Sequence, residues 1–138
     1  MPNLAELRAA AVGARKNAYA PYSKFTVGAA VETADGRRFT GANIENASYG
    51  LAICAERTAV FAAVLAGAKD IAAIAVTGPD GVTTPPCGAC RQVLAEFGGP
   101  AVPVSFARAD GGWTDTTLGE LLPLSFDAGL LDAARRPA

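Results

Sequence analysis

The chain predicts an α/β fold with a mixed sheet, and three observations carry that expectation. Two β-rich runs, Phe25 to Thr33 and Arg37 to Glu45, flank Asp35-Gly36, a good hairpin turn signal, so the first two strands are expected antiparallel. Beyond them the pattern changes to helix, strand, helix, strand, the signature of crossover units. The three cysteines of the chain all fall at the expected starts of those two helices.

Taken in order, Asn3 followed by Glu6 resembles a capping box, and Leu4, Leu7, Ala11, Ala14 and Ala18 recur at helical spacing, which predicts a first helix. Pro21 in Tyr19-Ala20-Pro21-Tyr22-Ser23 breaks it and pushes Ala20 towards extended geometry. After the hairpin, Asn46 to Gly50 reads as a polar loop. Cys54 to Ala66 is a largely apolar helix stopped by Gly67, its apolar character implying deep burial. Ile71 to Thr77 is a short apolar strand, Gly78 to Pro86 a turn-rich loop, and Cys87 to Phe97 a helix ended by Gly98-Gly99. Val102 to Ala107 makes a fourth strand. The Asp110-Gly111-Gly112 turn lets Trp113 to Leu118 return antiparallel as a fifth, and Leu118 to Leu122 suits a helical turn. Phe126, Leu130 and Leu131 give the tail some apolar content, and Arg135-Arg136-Pro137-Ala138 is expected to fray.

Composition bounds the function. A chain of 138 residues is expected to form one domain, 1–138, burying about two thirds of its unfolded surface. With 51% hydrophobic residues and a formal net charge of −1, it offers no long-range attraction to nucleic acid or to an anionic membrane. Met1-Pro2-Asn3-Leu4-Ala5-Glu6 lacks the basic-then-apolar pattern of a secretory leader, and the longest uncharged apolar run, Thr58 to Ala68, is too short to span a bilayer. An odd number of clustered cysteines argues against a disulfide framework and for a reducing, cytoplasmic setting.

Those cysteines carry the chemistry. Cys54-Ala55-Glu56-Arg57 and Pro86-Cys87-Gly88-Ala89-Cys90-Arg91-Gln92 offer a tetrahedral zinc three thiolates from Cys54, Cys87 and Cys90; with no histidine in the chain, the fourth position stays open for water or substrate. Consecutive right-handed βα units present both helix starts on one sheet edge, where unpaired N–H groups and the helix dipole favour thiolate. Glu56, two residues after the first ligand, suits proton transfer, although an acid in a first helical turn also serves the dipole alone. Three thiolates leave the metal centre one charge negative, and Arg57 and Arg91 are expected to hydrogen-bond the sulfurs, with Gln92 holding one of them in place. Inert buried cysteines are the plainer alternative, but Cys-x-x-Cys after proline at one helix start, with Cys-x-Glu at another, favours a metal. On spacing alone, Asn43 and Glu45 read as strand-end polar residues, and Phe25 and Phe126 as core or interface aromatics.

The sequence resembles the cytidine deaminases of the small, homotetrameric, three-cysteine zinc type. The likeness runs through Ala18-Tyr19-Ala20-Pro21-Tyr22-Ser23, Val27-Gly28-Ala29-Ala30, Gly41-Ala42-Asn43-Ile44-Glu45-Asn46-Ala47-Ser48-Tyr49, both cysteine runs and Leu121-Leu122-Pro123-Leu124-Ser125-Phe126. It implies zinc-dependent hydrolysis of cytidine and 2'-deoxycytidine, with zinc hydroxide attacking C4 and Glu56 shuttling protons. It further implies ribose contacts from Asn43 and Glu45, Phe25 packed on the pyrimidine and the Ala55 N–H meeting the base. Phe126 would reach into the pocket of a neighbouring subunit of a homotetramer with composite sites. Asn43 and Glu45 at i, i+2 on an extended strand would share a face, which fits independently. Pro85 departs from the pattern, standing where a Ser or Thr is expected, and the roles of Tyr22 and Tyr49 stay open. Two other readings remain: a deaminase of a cytosine nucleoside antibiotic such as blasticidin S, and a non-catalytic, zinc-stabilised binding module. The architecture expected is a three-layer α/β/α sandwich around a five-stranded mixed sheet.

Overall fold

The computed structural model describes residues 2–135. The Asn3 side chain accepts a hydrogen bond from the Glu6 N–H at 3.2 Å and starts α1 (Leu4–Ala14), which buries Leu7, Ala11 and Ala14. A single 3₁₀ turn, Arg15–Asn17, follows, and Ala18 is already extended, so the helical spacing that includes it outlasts the helix. The hairpin is β1 (Gly28–Thr33) and β2 (Arg38–Ala42), paired antiparallel from Gly28 against Ala42 to Glu32 against Arg38. After a 3₁₀ turn at Tyr49–Leu51 come α2 (Ala55–Leu65), β3 (Ile71–Thr77), α3 (Gly88–Phe97), β4 (Pro103–Ala107) and β5 (Trp113–Thr117). The chain then forms α4 (Leu118–Leu121) and α5 (Ala128–Arg135).

The sheet order is β2-β1-β3-β4-β5. Only β3 and β4 are parallel neighbours, with Ile74 opposite Val104 and Val76 opposite Phe106; the other pairs are antiparallel. Side chains alternate across the sheet. Ala30, Ala73 and Ala75 meet Leu7 and Ala11 of α1 on one face. Ala29, Val31, Ile74, Val76 and Val104 meet Ala59, Val60 and Ala63 of α2 and Leu94 of α3 on the other. Every residue of β1 is buried because it runs mid-sheet under both layers, which explains a nearly continuous apolar run where a one-sided strand would alternate. The result is the three-layer sandwich with a five-stranded mixed sheet expected from the sequence.

Two strand glycines set how closely the helices approach. A Cβ on Gly28 would collide with the Ala11 carbonyl and Arg15 backbone, and one on Gly41 with the Ala55 carbonyl and the Thr58 hydroxyl. Gly41 thus lets the first turn of α2 rest against β2.

The structure corrects several boundaries. Phe25 to Val27 lie outside the ladder because the Asn43 side chain takes their backbone groups: Oδ1 accepts from the Val27 N–H at 2.8 Å and Nδ2 donates to the Phe25 carbonyl at 2.7 Å. Strand β2 stops at Ala42, and beyond it Ile44 pairs singly with Tyr19 and Ile53. Cys54 and Cys87 are N-caps, one residue ahead of their helices. Residues 128–135 form a helix that the sequence reading left unassigned; Asp127, whose Oδ1 accepts from the Leu130 N–H at 3.1 Å, is the start signal. Of the expected frayed tail, Arg135 ends α5, and residues 136–138 lie outside the described residues.

Candidate active site

Because β2 and β3 both run antiparallel to β1, they point the same way, and the segments leading from them into α2 and α3 leave by one edge of the sheet. This brings Cys54, N-cap of α2, to Cys87, N-cap of α3, with Cys90 one turn further on. The Cys54 and Cys87 sulfurs are 3.5 Å apart, the Cys87 and Cys90 sulfurs 3.0 Å, and all three lie within 4.8 Å of one another. Cysteine is a poor cap by ordinary preference. Here the Cys87 Sγ accepts from the Cys90 N–H at 3.4 Å, so the cap folds the Cys-x-x-Cys turn onto itself.

Electrostatics favour thiolate at one sulfur and disfavour it at another. The Cys90 thiol foremost, with the Arg57 guanidinium and the Cys87 thiol, lowers Cys54 to about 5 against the opposing effect of burial. Its neighbour Cys90, whose thiol proton is held by hydrogen bonding to the Cys54 sulfur and by burial, is pushed up. Three convergent thiols, with thiolate favoured at Cys54, are a donor set suited to a thiophilic divalent cation, which would expel the remaining thiol protons. No histidine is available as a further ligand. The donors and their spacing fit zinc with one position left open.

Glu56 is 4% exposed, and its Oε2 accepts from the Cys87 N–H at 3.4 Å. Burial above all, together with the charge at Cys54, raises its carboxyl above the usual range. A buried carboxyl whose neutral form is favoured in this way is suited to acid and base work alike.

Glu56, Cys54 and Cys87 line a pocket of about 400 Å³ together with Phe25, Asn43, Glu45, Ala55 and Arg57. Asn43 and Glu45 share its wall although β2 has ended: the Glu45 N–H donates to the Tyr19 carbonyl, and the Tyr19 N–H to that of Asn43, which keeps the segment extended. Ser23, Val27, Ala52, Ile53, Thr84 and Pro85 complete the wall. Of these, Pro85 enters the sequence expectation only as a departure and Ser23 and Val27 only within the matching runs, none of them with a role in the site. The helix break at Pro21, two residues before Ser23, is the one local signal near it. Phe126 lies outside this pocket, 56% exposed.

The expected sulfur contacts divide. Arg57, three residues after Cys54 on the same helical face, reaches the Cys54 Sγ at 3.5 Å. Arg91 does not reach a sulfur: it is one residue past Cys90, about 100° around the helix, and donates to the carbonyls of Pro86 at 2.8 Å and Leu121 at 2.9 Å. Gln92 likewise holds neither arginine but donates to the Phe126 carbonyl at 2.8 Å.

An α/β/α sandwich bearing three convergent thiols and a buried carboxyl at two helix starts defines a zinc-dependent enzyme. The family model for the cytidine and deoxycytidylate deaminase zinc-binding region matches residues 1–106. A cytidine deaminase of Halalkalibacterium halodurans is 51% identical over 118 residues, 86% of this chain and 89% of that one. One from Mycobacterium tuberculosis is 43% identical over 130 residues, 94% of each. The crystal structure of a cytidine deaminase from Burkholderia pseudomallei superposes with a TM-score of 0.83 at 52% identity, covering 91% of this chain and all of that one. The chain belongs to the cytidine and deoxycytidylate deaminase family.

Proposed function

We propose that the protein hydrolyses cytidine and 2'-deoxycytidine to uridine and 2'-deoxyuridine with release of ammonia. The observation that carries this reading is a cluster of three sulfurs, two of which, on Cys54 and Cys87, line with the Glu56 carboxyl one pocket large enough for a nucleoside, while Cys90 closes the cluster from the buried side. Similarity to enzymes named cytidine deaminases supports it over an antibiotic substrate such as blasticidin S.

Cys54, Cys87 and Cys90 would hold the zinc ion, which supplies Lewis acidity and a water acidified for attack. Glu56 manages the protons: one of the water's hydrogens goes to ring N3 and stays there in the product. The other goes to the amine, which leaves C4 as ammonia while the water oxygen remains. The Ala55 N–H, at the first turn of α2, meets the base, and Phe25 packs against it. Asn43 has one Nδ2 hydrogen and an Oδ1 lone pair left after its two backbone bonds, and these receive the ribose together with Glu45. Arg57 offsets the negative charge of the thiolates.

The working form we propose is a cytoplasmic homotetramer in which Phe126 of one copy completes the pocket of another. Exposure of Tyr49, Leu51, Leu65, Leu124 and Phe126 supports such an assembly, and free thiols support a reducing compartment. No helix among the described residues is long and apolar enough to cross a membrane.

The test is zinc content and cytidine turnover, followed by falling ultraviolet absorbance and ammonia release, on wild type and Glu56→Gln. Glu56→Gln should keep its zinc and lose on the order of 10³-fold in kcat. Absence of turnover by zinc-loaded wild type would overturn the reading, and unchanged function in Glu56→Gln would favour a zinc-stabilised binding module.

A further inference from the structure

Glu45 is the most tightly held side chain in the pocket wall. Its Oε1 accepts from the Tyr22 N–H at 3.0 Å and the Ser23 N–H at 3.1 Å, and its Oε2 accepts from the Ser23 hydroxyl. An ionised carboxylate offers about four acceptor directions, so the turn uses all but one. The Ser23 hydroxyl in turn accepts from the Phe25 N–H at 3.0 Å. Lys24, between them, sits at φ 60, a left-handed conformation unfavourable for a lysine. A backbone under that strain persists when neighbouring bonds fix it, and here both flanking residues are tied through one hydroxyl.

We infer that Ser23 is a positioning residue: its hydroxyl fixes the Glu45 carboxylate and the Phe25 backbone relative to each other, so that the sugar and base ends of the nucleoside pocket keep one spacing. This rests on the proposed reading that Glu45 binds a ribose hydroxyl. The bonds from Ser23 also hold Glu45 below the usual carboxylate range, keeping it an acceptor. The single acceptor direction left on Oε2 then faces the substrate hydroxyl without reorganisation when the nucleoside binds. Replacing Ser23 by alanine keeps the two backbone bonds to Oε1 but releases Oε2, and leaves the Phe25 N–H without its acceptor.

The experiment is a double-mutant cycle of Ser23→Ala and Glu45→Gln, with Ser23→Thr as rescue, on zinc-loaded protein. Each variant is read by kcat and KM for cytidine and by calorimetric affinity for uridine, which binds without reacting. Ser23→Ala should raise KM and weaken uridine about tenfold, the weight of a hydrogen bond to a charged group, with a smaller change in kcat. In the Glu45→Gln background the same substitution should change both by less than about twofold, and Ser23→Thr should restore most of the loss. Equal losses in the two backgrounds, or no loss with Glu45 present, would overturn the inference. Failure of the underlying reading looks different: Glu45→Gln would bind uridine and turn over cytidine as wild type does, or wild type would do neither.

Discussion

The thiol-bearing edge of the sheet and the C-terminal tail differ in how much one copy of the chain provides. At the edge, Cys90 and Ala55 are fully buried, Glu56 nearly so, and both helix starts lean on the sheet core through residues such as Ala59 and Leu94. In the tail, α5 buries no residue, and Leu124, Phe126, Leu130 and Leu131 are exposed. Gln92 and Arg91 tie the tail to α3 through the Phe126 and Leu121 carbonyls. A helix of eight residues with no packed face gains little stability from its own backbone. The three sulfurs and the Glu56 carboxyl thus meet within one chain, whereas the apolar residues of the tail are left outside any core among the described residues.

The sharpest way to break that contrast is at the edge. Cys90→Ala should abolish zinc binding and lower cytidine turnover by more than about 10³-fold. The sheet, whose core packs apart from the metal, should retain its far-ultraviolet circular dichroism. Metal analysis and the deaminase assay check this, and full turnover by a zinc-free variant would show that the edge is not the reaction centre. The tail predicts a smaller, separable effect. Phe126→Ala should lower kcat/KM about tenfold, the scale of one aromatic contact, and reduce the assembled mass in light scattering, while zinc stoichiometry stays at the wild-type value. A wild type that is monomeric and fully active would place the tail outside function.

These two regions also differed in how far the sequence disclosed them. The metal edge was legible because its signal is chemical: three cysteines and a glutamate at fixed offsets leave few alternatives, and the βα order brings them together. Strand β3 was legible to the residue, being a short apolar run between turn signals. Phe25 to Val27 misled, since β-prone residues there bond to the side chain of Asn43, a long-range partner that no local pattern reports. Arg91 misled in another way, because adjacency to a ligand in sequence is the wrong direction on a helix. The tail helix was missed because its apolar residues are exposed and join no core cluster among the described residues, so their spacing marks no buried face, and Asp127 alone marks its start.

The smallest effect tests whether the scaffold between these regions is independent of both. Asp115 on β5 is bonded by the Arg8 guanidinium of α1 at 2.6 Å and by the Ser105 hydroxyl of β4 at 2.6 Å, tying one helical layer to the far edge of the sheet. Arg8 foremost, then Ser105, lowers the Asp115 carboxyl below the usual carboxylate range. A carboxylate whose native pKa is depressed contributes stability that is present above its unfolded pKa and lost as pH falls through the native value. The Asp115 side chain is 52% exposed, so solvent screening keeps this contribution below about 1 kcal/mol. Asp115→Asn should therefore melt slightly below wild type at pH 6. The gap should narrow as pH falls below about 4, because protonation removes in the wild type the charge that the variant already lacks. Loss of zinc in acid affects both proteins alike and cancels in the difference. A gap that widened towards acid would mean that Asp115 is strained when ionised, and a change in zinc content in Asp115→Asn at pH 6 would mean that the scaffold and the metal edge are coupled through β4.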